Sequence, residues 1–243
     1  MTEKKLQLLD IFSYSCMNCL RSLECIKQLD SRYRKHGLET IIIHPPEWAF
    51  EKDSRNILQA LKDHGIKIPI VIDKDKKIIK RLKVDFWPTQ ILVKGRKIAY
   101  RHVGEGNYKT LEKKIANILG ISSERIFKKE PMYSKLPTIY AGKKKHGIIS
   151  KKPTAKPGMI YADNCKIKDE YIEARGKVEI MAMGKKANFV AESGRPVKAR
   201  ISIDGKFKKT ISINKPGLYR IADCKGKITI EAKSLRIYSF SFE

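Results

Sequence analysis

The sequence predicts an α/β domain, with a mixed central sheet flanked by helices, followed by an all-β sandwich or jelly-roll domain. Strand and helix patterns alternate over the first 120 residues, a Pro-, Gly- and Lys-rich stretch follows, and only short alternating strand patterns come after it. A chain of 243 residues is long enough for two domains. We therefore predict a first domain over residues 1–120, an extended linker over 121–157 and a β domain over 158–243.

Apolar spacing defines the elements of the first domain. The run LQLLDIFS is predicted to be a buried strand. A helical stripe then ends near Gly37, with apolar residues every three or four positions: Leu20, Leu23, Ile26, Leu29 and Tyr33. The strand ETIIIH, a second helix, the strand PIVID, a hairpin of QILV and KIAYRHV, and a closing helix follow. Crossover helices imply parallel pairing early in the sheet, and the hairpin adds antiparallel strands.

The chain is strongly basic, with a net charge of +26. A basic surface attracts nucleic acid, anionic membranes or acidic proteins. The lysines are scattered over both halves, without an arginine-rich helix or an aromatic RNA-binding motif, so a lysine-rich surface is favoured over nucleic-acid binding. We see no membrane-spanning run and no signal region. We therefore expect a cytoplasmic protein as the chain stands, or an extracytoplasmic one if it is truncated.

The chemistry-bearing motif is a C-x-x-C at Cys16 and Cys19, between a predicted strand and the start of a helix. Unsatisfied backbone N–H groups and the positive end of the helix dipole stabilise a thiolate there. The two-residue gap lets the second thiol attack a mixed disulfide formed by the first. Structural zinc needs four ligands, and no second pair is present, so neither a metal nor a cofactor is expected. Two core cysteines paired by chance remain an alternative.

Three further positions are candidates for supporting roles. Asp10 lies within the apolar strand LLDIF, where a buried carboxylate is costly unless a nearby group exchanges protons with it; a solvent-facing position is the alternative. Pro88, after Trp87, either is cis or opens the strand QILV in the trans form. Glu47 follows a strand that should end at the active site, and it is a candidate for proton transfer or a solvated loop residue.

Five stretches occur in order and carry a resemblance: LLDIFSYSCMNCLRSL, HPPEWAFEKD, PIVIDKD, FWPTQILV and HVGEGNY. Together they resemble the DipZ/TlpA-like branch of thioredoxin-fold proteins. The resemblance implies a thiol–disulfide oxidoreductase whose redox centre is Cys16 and Cys19. It also implies a buried acid at Asp10 and a cis-proline at Pro88, preceded by Trp87, that leaves the adjacent backbone free to pair with substrate.

The second half is similar to the DipZ C-terminal region, whose fold resembles carbohydrate-binding modules, through PTIYAG and RIYSFSFE. There are departures from the family pattern. DipZ proteins carry a membrane-embedded electron-transfer region that this sequence does not contain, so the electron donor or acceptor is open. The dipeptide between the cysteines is Met-Asn, and both tryptophans fall in the first domain. A sugar-stacking surface in the β domain would need Tyr or Phe.

Protein dithiols and disulfides are the expected partners. A peroxiredoxin-like peroxidase is the alternative enzyme, for which Ser13 is suitably placed but the upstream proline is missing. The third hypothesis is a binding protein, with the β domain holding a glycan or an acidic partner near Phe207, among several lysines. Cys25 is expected to be a free buried thiol, and a Cys165–Cys224 disulfide is left open.

Overall fold

The computed structural model describes residues 5–129, 133–145, 149–150, 152–154, 156–223 and 225–243. It divides the chain into two compact units, residues 1–133 and 134–243. No helix in those ranges is both long enough and apolar enough to cross a membrane.

The first unit is built on a mixed five-stranded sheet. Its strands are β1 (Leu6–Ile11), β2 (Leu38–His44), β3 (Ile70–Ile72), β4 (Thr89–Lys94) and β5 (Lys97–Val103). They lie in the order β3-β2-β1-β4-β5, with β1, β2 and β3 parallel and both β4 and β5 antiparallel to their neighbours. The predicted mixed sheet is therefore confirmed. Its central strand β1 ends opposite the start of β4, and this end of the sheet carries the C-x-x-C turn.

The helices are α1 (Met17–Tyr33), α2 (Ser54–Asp63), α3 (Lys77–Leu82) and α4 (Tyr108–Leu119). The short helix α3 has no counterpart in the sequence prediction. The Asp73 carboxylate accepts hydrogen bonds from the backbone N–H groups of Ile78 (3.1 Å) and Ile79 (2.9 Å) at its start. Ile79 is buried with residues of the sheet in a small apolar cluster that also includes Trp87. Helix α3 is therefore fixed beside the loop that precedes β4.

The second unit consists almost entirely of strands. They are β6 (Ile139–Tyr140), β7 (Ile149–Ser150), β8 (Ile160–Ala162), β9 (Cys165–Ile167), β10 (Ile172–Met181), β11 (Lys186–Glu192), β12 (Val197–Ile203), β13 (Lys206–Ile213), β14 (Gly217–Asp223) and β15 (Lys227–Phe242). The all-β prediction is therefore confirmed. The path β13-β12-β15-β10-β8-β7 is continuous, and β11 and β14 join it through β15.

The long strand β15 links the two sides of this β unit. Its first part pairs with β12 and β10, and its last part pairs with β11 and β6. A simple sandwich has two separate sheets, whereas here one strand belongs to both sides of a single apolar core. The chain has eight aromatic residues from Tyr161 onward, and strand alternation predicts that about half of them face that core. Four are buried in it or beside it: Phe189, Tyr238, Phe240 and Phe242.

The predicted linker at 121–157 differs from the structure. Its first part belongs to the first unit, where the Phe127 ring is buried 6.0 Å from that of Tyr108 and Glu112 accepts the N–H of Ile126. Its later part supplies β6 and β7 to the second unit. These contacts involve single residues or two-residue strands that form no regular apolar pattern. The sequence of this stretch therefore predicts a linker from its Pro- and Lys-rich composition alone.

Candidate functional site

The two cysteines of the C-x-x-C motif lie at the first turn of α1. Cys16 is its N-cap, with extended backbone angles, and its Sγ accepts the backbone N–H of Cys19 at 3.3 Å. A sulfur at this position faces the free N–H groups and the positive end of the helix dipole, which favour a negative charge. Cys16 is half-buried, whereas Cys19 is fully buried, and both are free thiols. An incoming disulfide therefore has access to Cys16 alone.

The buried thiol is the harder of the two to ionise. Burial raises the pKa of Cys19 well above its ordinary value, and the hydrogen bond and charge of Cys16 raise it further. The negative charge of Glu47 acts in the same direction. Cys19 is therefore protonated near neutral pH and must lose a proton before it can act as a nucleophile.

The loop before β4 borders Cys16 on the opposite side. The Trp87–Pro88 peptide bond is cis, and the Trp87 carbonyl oxygen lies 4.0 Å from Cys16 Sγ. Hydrogen bonds hold the backbone on both sides: Thr89 Oγ1 donates to the Phe86 carbonyl (2.7 Å), and the Gly104 N–H donates to that of Pro88 (2.8 Å). Trp87 and Pro88 thus border Cys16 in the fold.

Glu47 lies at this site and is not a solvated loop residue. Its Oε2 accepts the indole N–H of Trp87 at 3.1 Å, which fixes the ring beside the cysteines. Its backbone N–H donates to Glu51 Oε2 at 2.5 Å. Glu47 therefore connects the loop before β4 to the segment after β2.

Glu51 is a buried carboxyl that the sequence analysis missed. Its Oε1 accepts the hydroxyls of Ser13 (2.7 Å) and Ser15 (2.6 Å), on the loop that leads into Cys16. Burial, with the nearby charge of Glu47, raises its pKa to about 7, although the hydrogen bonds lower it. The only available signal was its place four residues after Glu47 in the stretch HPPEWAFEKD. Glu51 positions the backbone that presents the first cysteine.

Asp10 is fully buried on β1, which excludes the solvent-facing alternative. Its Oδ1 accepts from Gln90 Nε2 at 3.1 Å, and the same amide also donates to Ser22 Oγ on α1 at 3.2 Å. Burial raises the pKa of Asp10 to about 7, and the Gln90 bond lowers it only in part. Within the described residues no hydrogen bond joins Asp10 to either sulfur, so its link to α1 runs through Gln90.

A bidentate ion pair holds the turn between the cysteines. Arg21 Nε and Nη2 each lie 2.8 Å from a carboxylate oxygen of Glu105, whose side chain is 3% exposed. Arg21 Nη2 also donates to the side-chain oxygen of Asn18, between the two cysteines, at 2.6 Å. Sequence spacing gave no signal for this pair, because 84 residues separate its members.

The remaining cysteines lie apart from this constellation. Cys25 is a buried thiol on α1. Cys165 is a free thiol on β9. Cys224, the other half of the disulfide left open by the sequence, lies outside the described residues. Across the part of the chain that the structure describes, no three His, Cys, Asp or Glu side chains gather as a metal-binding group.

Comparisons with known proteins fit this geometry. Residues 4–98 match the family model described as thioredoxin-like. Protein DipZ of Mycobacterium tuberculosis is 28% identical over 137 residues, covering 56% of this chain and 20% of that protein. Human NHL repeat-containing protein 2 is 33% identical over 105 residues, covering 42% of this chain and 14% of that protein. The chain thus spans about a fifth or less of these relatives.

Solved structures similar to this chain include StoA from Bacillus subtilis, with 14% identity, a TM-score of 0.41, and coverage of 46% of this chain and 84% of that one. Another is the exposed lipoprotein thioredoxin Etrx1 from Streptococcus pneumoniae, with 19% identity, a TM-score of 0.43, and coverage of 47% and 86%. The family match and the order of strands and helices confirm the predicted thioredoxin fold of the first unit, and a β-rich second unit follows it.

Proposed function

From the thioredoxin-like domain that the first unit forms, we propose that this chain is a thiol–disulfide oxidoreductase acting on protein disulfides through Cys16 and Cys19. One observation carries the proposal. Cys16 is half-buried and caps a helix, and its Sγ accepts the backbone N–H of Cys19. The Cys19 thiol, one turn further along the helix, is fully buried. This arrangement separates an accessible nucleophile from a protected resolving group.

The proposed reduction has two steps. The Cys16 thiolate attacks one sulfur of the substrate disulfide, so that a mixed disulfide forms and the other substrate sulfur leaves as a thiolate and takes a proton. The Cys19 thiolate then attacks Cys16 Sγ, which forms the Cys16–Cys19 disulfide and releases the second substrate thiolate. Two electrons pass from the dithiol to the substrate. Run in reverse, the same steps oxidise a substrate dithiol.

Cys19 needs a proton acceptor for the second step, because burial raises its pKa. We assign this supporting role to Asp10 and Glu47. The pKa of Asp10, raised to about 7, suits a group that gains and loses a proton near neutral pH. Trp87 and Pro88 are proposed to present the backbone beside Cys16 to the substrate chain.

Brief alkylation of the full-length protein tests the nucleophile. We expect iodoacetamide to modify Cys16 first near neutral pH, because its sulfur is accessible at the helix terminus whereas Cys19 and Cys25 are buried. Cys165 is an internal comparison, since it is also half-buried but burial and the charge of Asp163 raise its pKa. Mass-spectrometric mapping of the labelled cysteines gives the order of reaction. Preferential labelling of Cys25 or Cys224 would contradict the assignment.

The peroxidase alternative finds no support at this site. The serine that such a mechanism would use, Ser13, is fully buried, and its hydroxyl donates to Glu51 at 2.7 Å. The Ser13 hydroxyl therefore stabilises the loop before Cys16 and is not exposed to a substrate.

For the β unit we propose a docking role at Phe207. This side chain is 53% exposed on β13, and the Arg200 guanidinium lies 4.6 Å from its ring centre. An exposed aromatic ring among cations suits either a sugar ring or an acidic polypeptide. We expect Phe207→Ala in the full chain to weaken capture on a glycan array or by acidic peptides at least about fivefold. Binding that the substitution leaves unchanged would eliminate this site.

A further inference from the structure

The surface beside the cysteines is asymmetric in charge. On the α1 side, the positive charge of Arg21 is neutralised by its bidentate pair with Glu105. On the other side lies the basic segment, residues 74–83, with the sequence KDKKIIKRLK. It carries six cationic residues and one acidic residue, a net charge of +5 in ten positions, whereas the whole chain carries +26 in 243. Positive charge is thus concentrated on one flank of the site.

The basic segment is anchored by hydrogen bonds at both ends of its helix and lies beside the loop before β4. Its helix α3 is held at the start by Asp73 and at the end by Arg101, whose guanidinium donates to the carbonyls of Leu82 (2.5 Å) and Lys83 (3.0 Å). The Lys76 ammonium lies 5.6 Å from the centre of the Trp87 ring. The Lys76 side chain of the basic segment therefore lies next to the loop that contacts Cys16.

Several charges of this flank are not neutralised within the protein. Lys80, Arg81 and Lys83 are exposed, and among the described residues none of them has an ion-pair partner. Four acidic groups lie nearby. Asp73 is buried and bonded to the N–H groups at the start of α3, and Glu47 is bonded to Trp87. Asp75 is 3.8 Å from Lys77, and Asp85 is exposed. The balance beside the loop remains strongly positive.

An exposed aromatic residue lies between the basic segment and Trp87 along the chain. Phe86 is 71% exposed, more than any other large apolar side chain that the structure describes. Its carbonyl is fixed by Thr89, and the next carbonyl along the chain lies 4.0 Å from Cys16 Sγ. Aromatic side chains are enriched in the surfaces through which proteins bind other polypeptides. A substrate bound at Cys16 would therefore meet a loop that carries an exposed aromatic ring one residue before Trp87.

We propose that Phe86 and the basic segment select polypeptide disulfides flanked by acidic residues, with an apolar side chain of the substrate resting on Phe86. This inference rests on the proposed function and adds the substrate class to it. Complementary charge raises the rate of encounter by about tenfold or more at low salt and loses this effect as salt screens it. The preference for acidic peptides should therefore appear in kcat/KM and should decrease as ionic strength rises.

The test uses the full-length protein and two synthetic peptide disulfides that differ only in two flanking residues, Glu in one and Lys in the other. We expect kcat/KM to favour the Glu peptide about tenfold at low salt and about twofold or less at 0.5 M salt. The double variant Lys80→Glu/Arg81→Glu should abolish or invert this preference. Its matched control is Lys113→Glu/Lys114→Glu on α4, which packs against α1 and should keep the preference.

Phe86→Ala should lower kcat/KM about fivefold for both peptides, whereas Ile98→Ala, which is 49% exposed at the other end of the sheet, should not. Hydroxyethyl disulfide, small and neutral, reports the chemistry alone, and all four variants should reduce it like the wild type. Turnover of this compound without a preference between the peptides would overturn the inference and leave the proposed function standing. No turnover of any disulfide would overturn the proposed function itself.

Discussion

In the 243-residue chain, Cys16→Ser is expected to abolish catalysis of insulin-disulfide reduction, so that the rate with dithiothreitol falls to the uncatalysed background. A serine hydroxyl at the N-cap accepts the Cys19 N–H as the sulfur does, so the helix should still form. It cannot form the mixed disulfide, and Cys19 is fully buried and cannot replace it. The insulin turbidity assay measures the loss.

Cys19→Ser separates the two steps. Without the resolving thiol, the mixed disulfide on Cys16 should accumulate, and mass spectrometry should show one substrate chain bound per protein. Cys25→Ser is the matched control, because Cys25 is a buried thiol of the same helix with no place in the site, and it should retain turnover. Wild-type turnover in both Cys16→Ser and Cys19→Ser would locate the redox centre elsewhere.

The site was predictable where its signals are local. A strand followed by a C-x-x-C and a helical stripe places Cys16 at a helix terminus, and an acid inside an apolar strand marks Asp10. Glu51, Arg21 and Glu105 have no such signal, because their roles depend on partners that are distant in sequence. Glu51 lies 36 residues from Ser15, and 84 residues separate Arg21 from Glu105. Charged residues in loops resemble solvated ones until the fold buries them.

The same distinction explains the errors in the fold. Helix α3 was missed because it has six residues and depends on the Asp73 carboxylate and on the packing of Ile79, not on an apolar period. The runs KITIEA and RIYSFSF each have the alternation of a short strand, but β15 continues without a break through Lys233, Ser234 and Leu235 between them. Its pairing with β10 shifts register between Ala174 and Gly176, which accommodates the irregularity without a turn.

Replacing Asp10 by asparagine should stabilise the protein at alkaline pH and leave its stability near pH 4 almost unchanged. Asparagine keeps the oxygen that accepts from Gln90, but it has no charge to bury. Within the described residues, the second carboxylate oxygen of Asp10 has no hydrogen-bond partner, so the ionised form is poorly solvated. Once Asp10 ionises, the wild type is destabilised by the buried charge, whereas the variant is not.

The direction of the effect follows from proton binding. Burial raises the pKa of Asp10 from 3.8 to about 7, so between these values the folded protein holds a proton that the unfolded chain has lost. The free energy of unfolding therefore falls as pH rises through this window, by about 1.4 kcal/mol per pH unit and about 4 kcal/mol in total. Glu51, whose pKa is also raised to about 7, acts in the same direction. Buried His44, whose pKa is lowered to about 4, acts in the opposite direction. Glu51 and His44 are present in both the wild type and the Asp10→Asn variant, so the difference in stability between the two proteins reports on Asp10.

Urea unfolding at pH 4.5 and pH 8, followed by tryptophan fluorescence, measures this difference. Both tryptophans, Trp48 and Trp87, lie in the first unit, so the signal reports on the unit that contains Asp10. We expect Asp10→Asn to exceed the wild type by several kcal/mol at pH 8 and by much less at pH 4.5. Asp73→Asn is the control, because this buried carboxylate accepts two N–H groups of α3 and its loss should destabilise the protein. An Asp10→Asn variant with the same advantage at both pH values would show that Asp10 does not titrate in this window, and would remove it as a proton acceptor for Cys19.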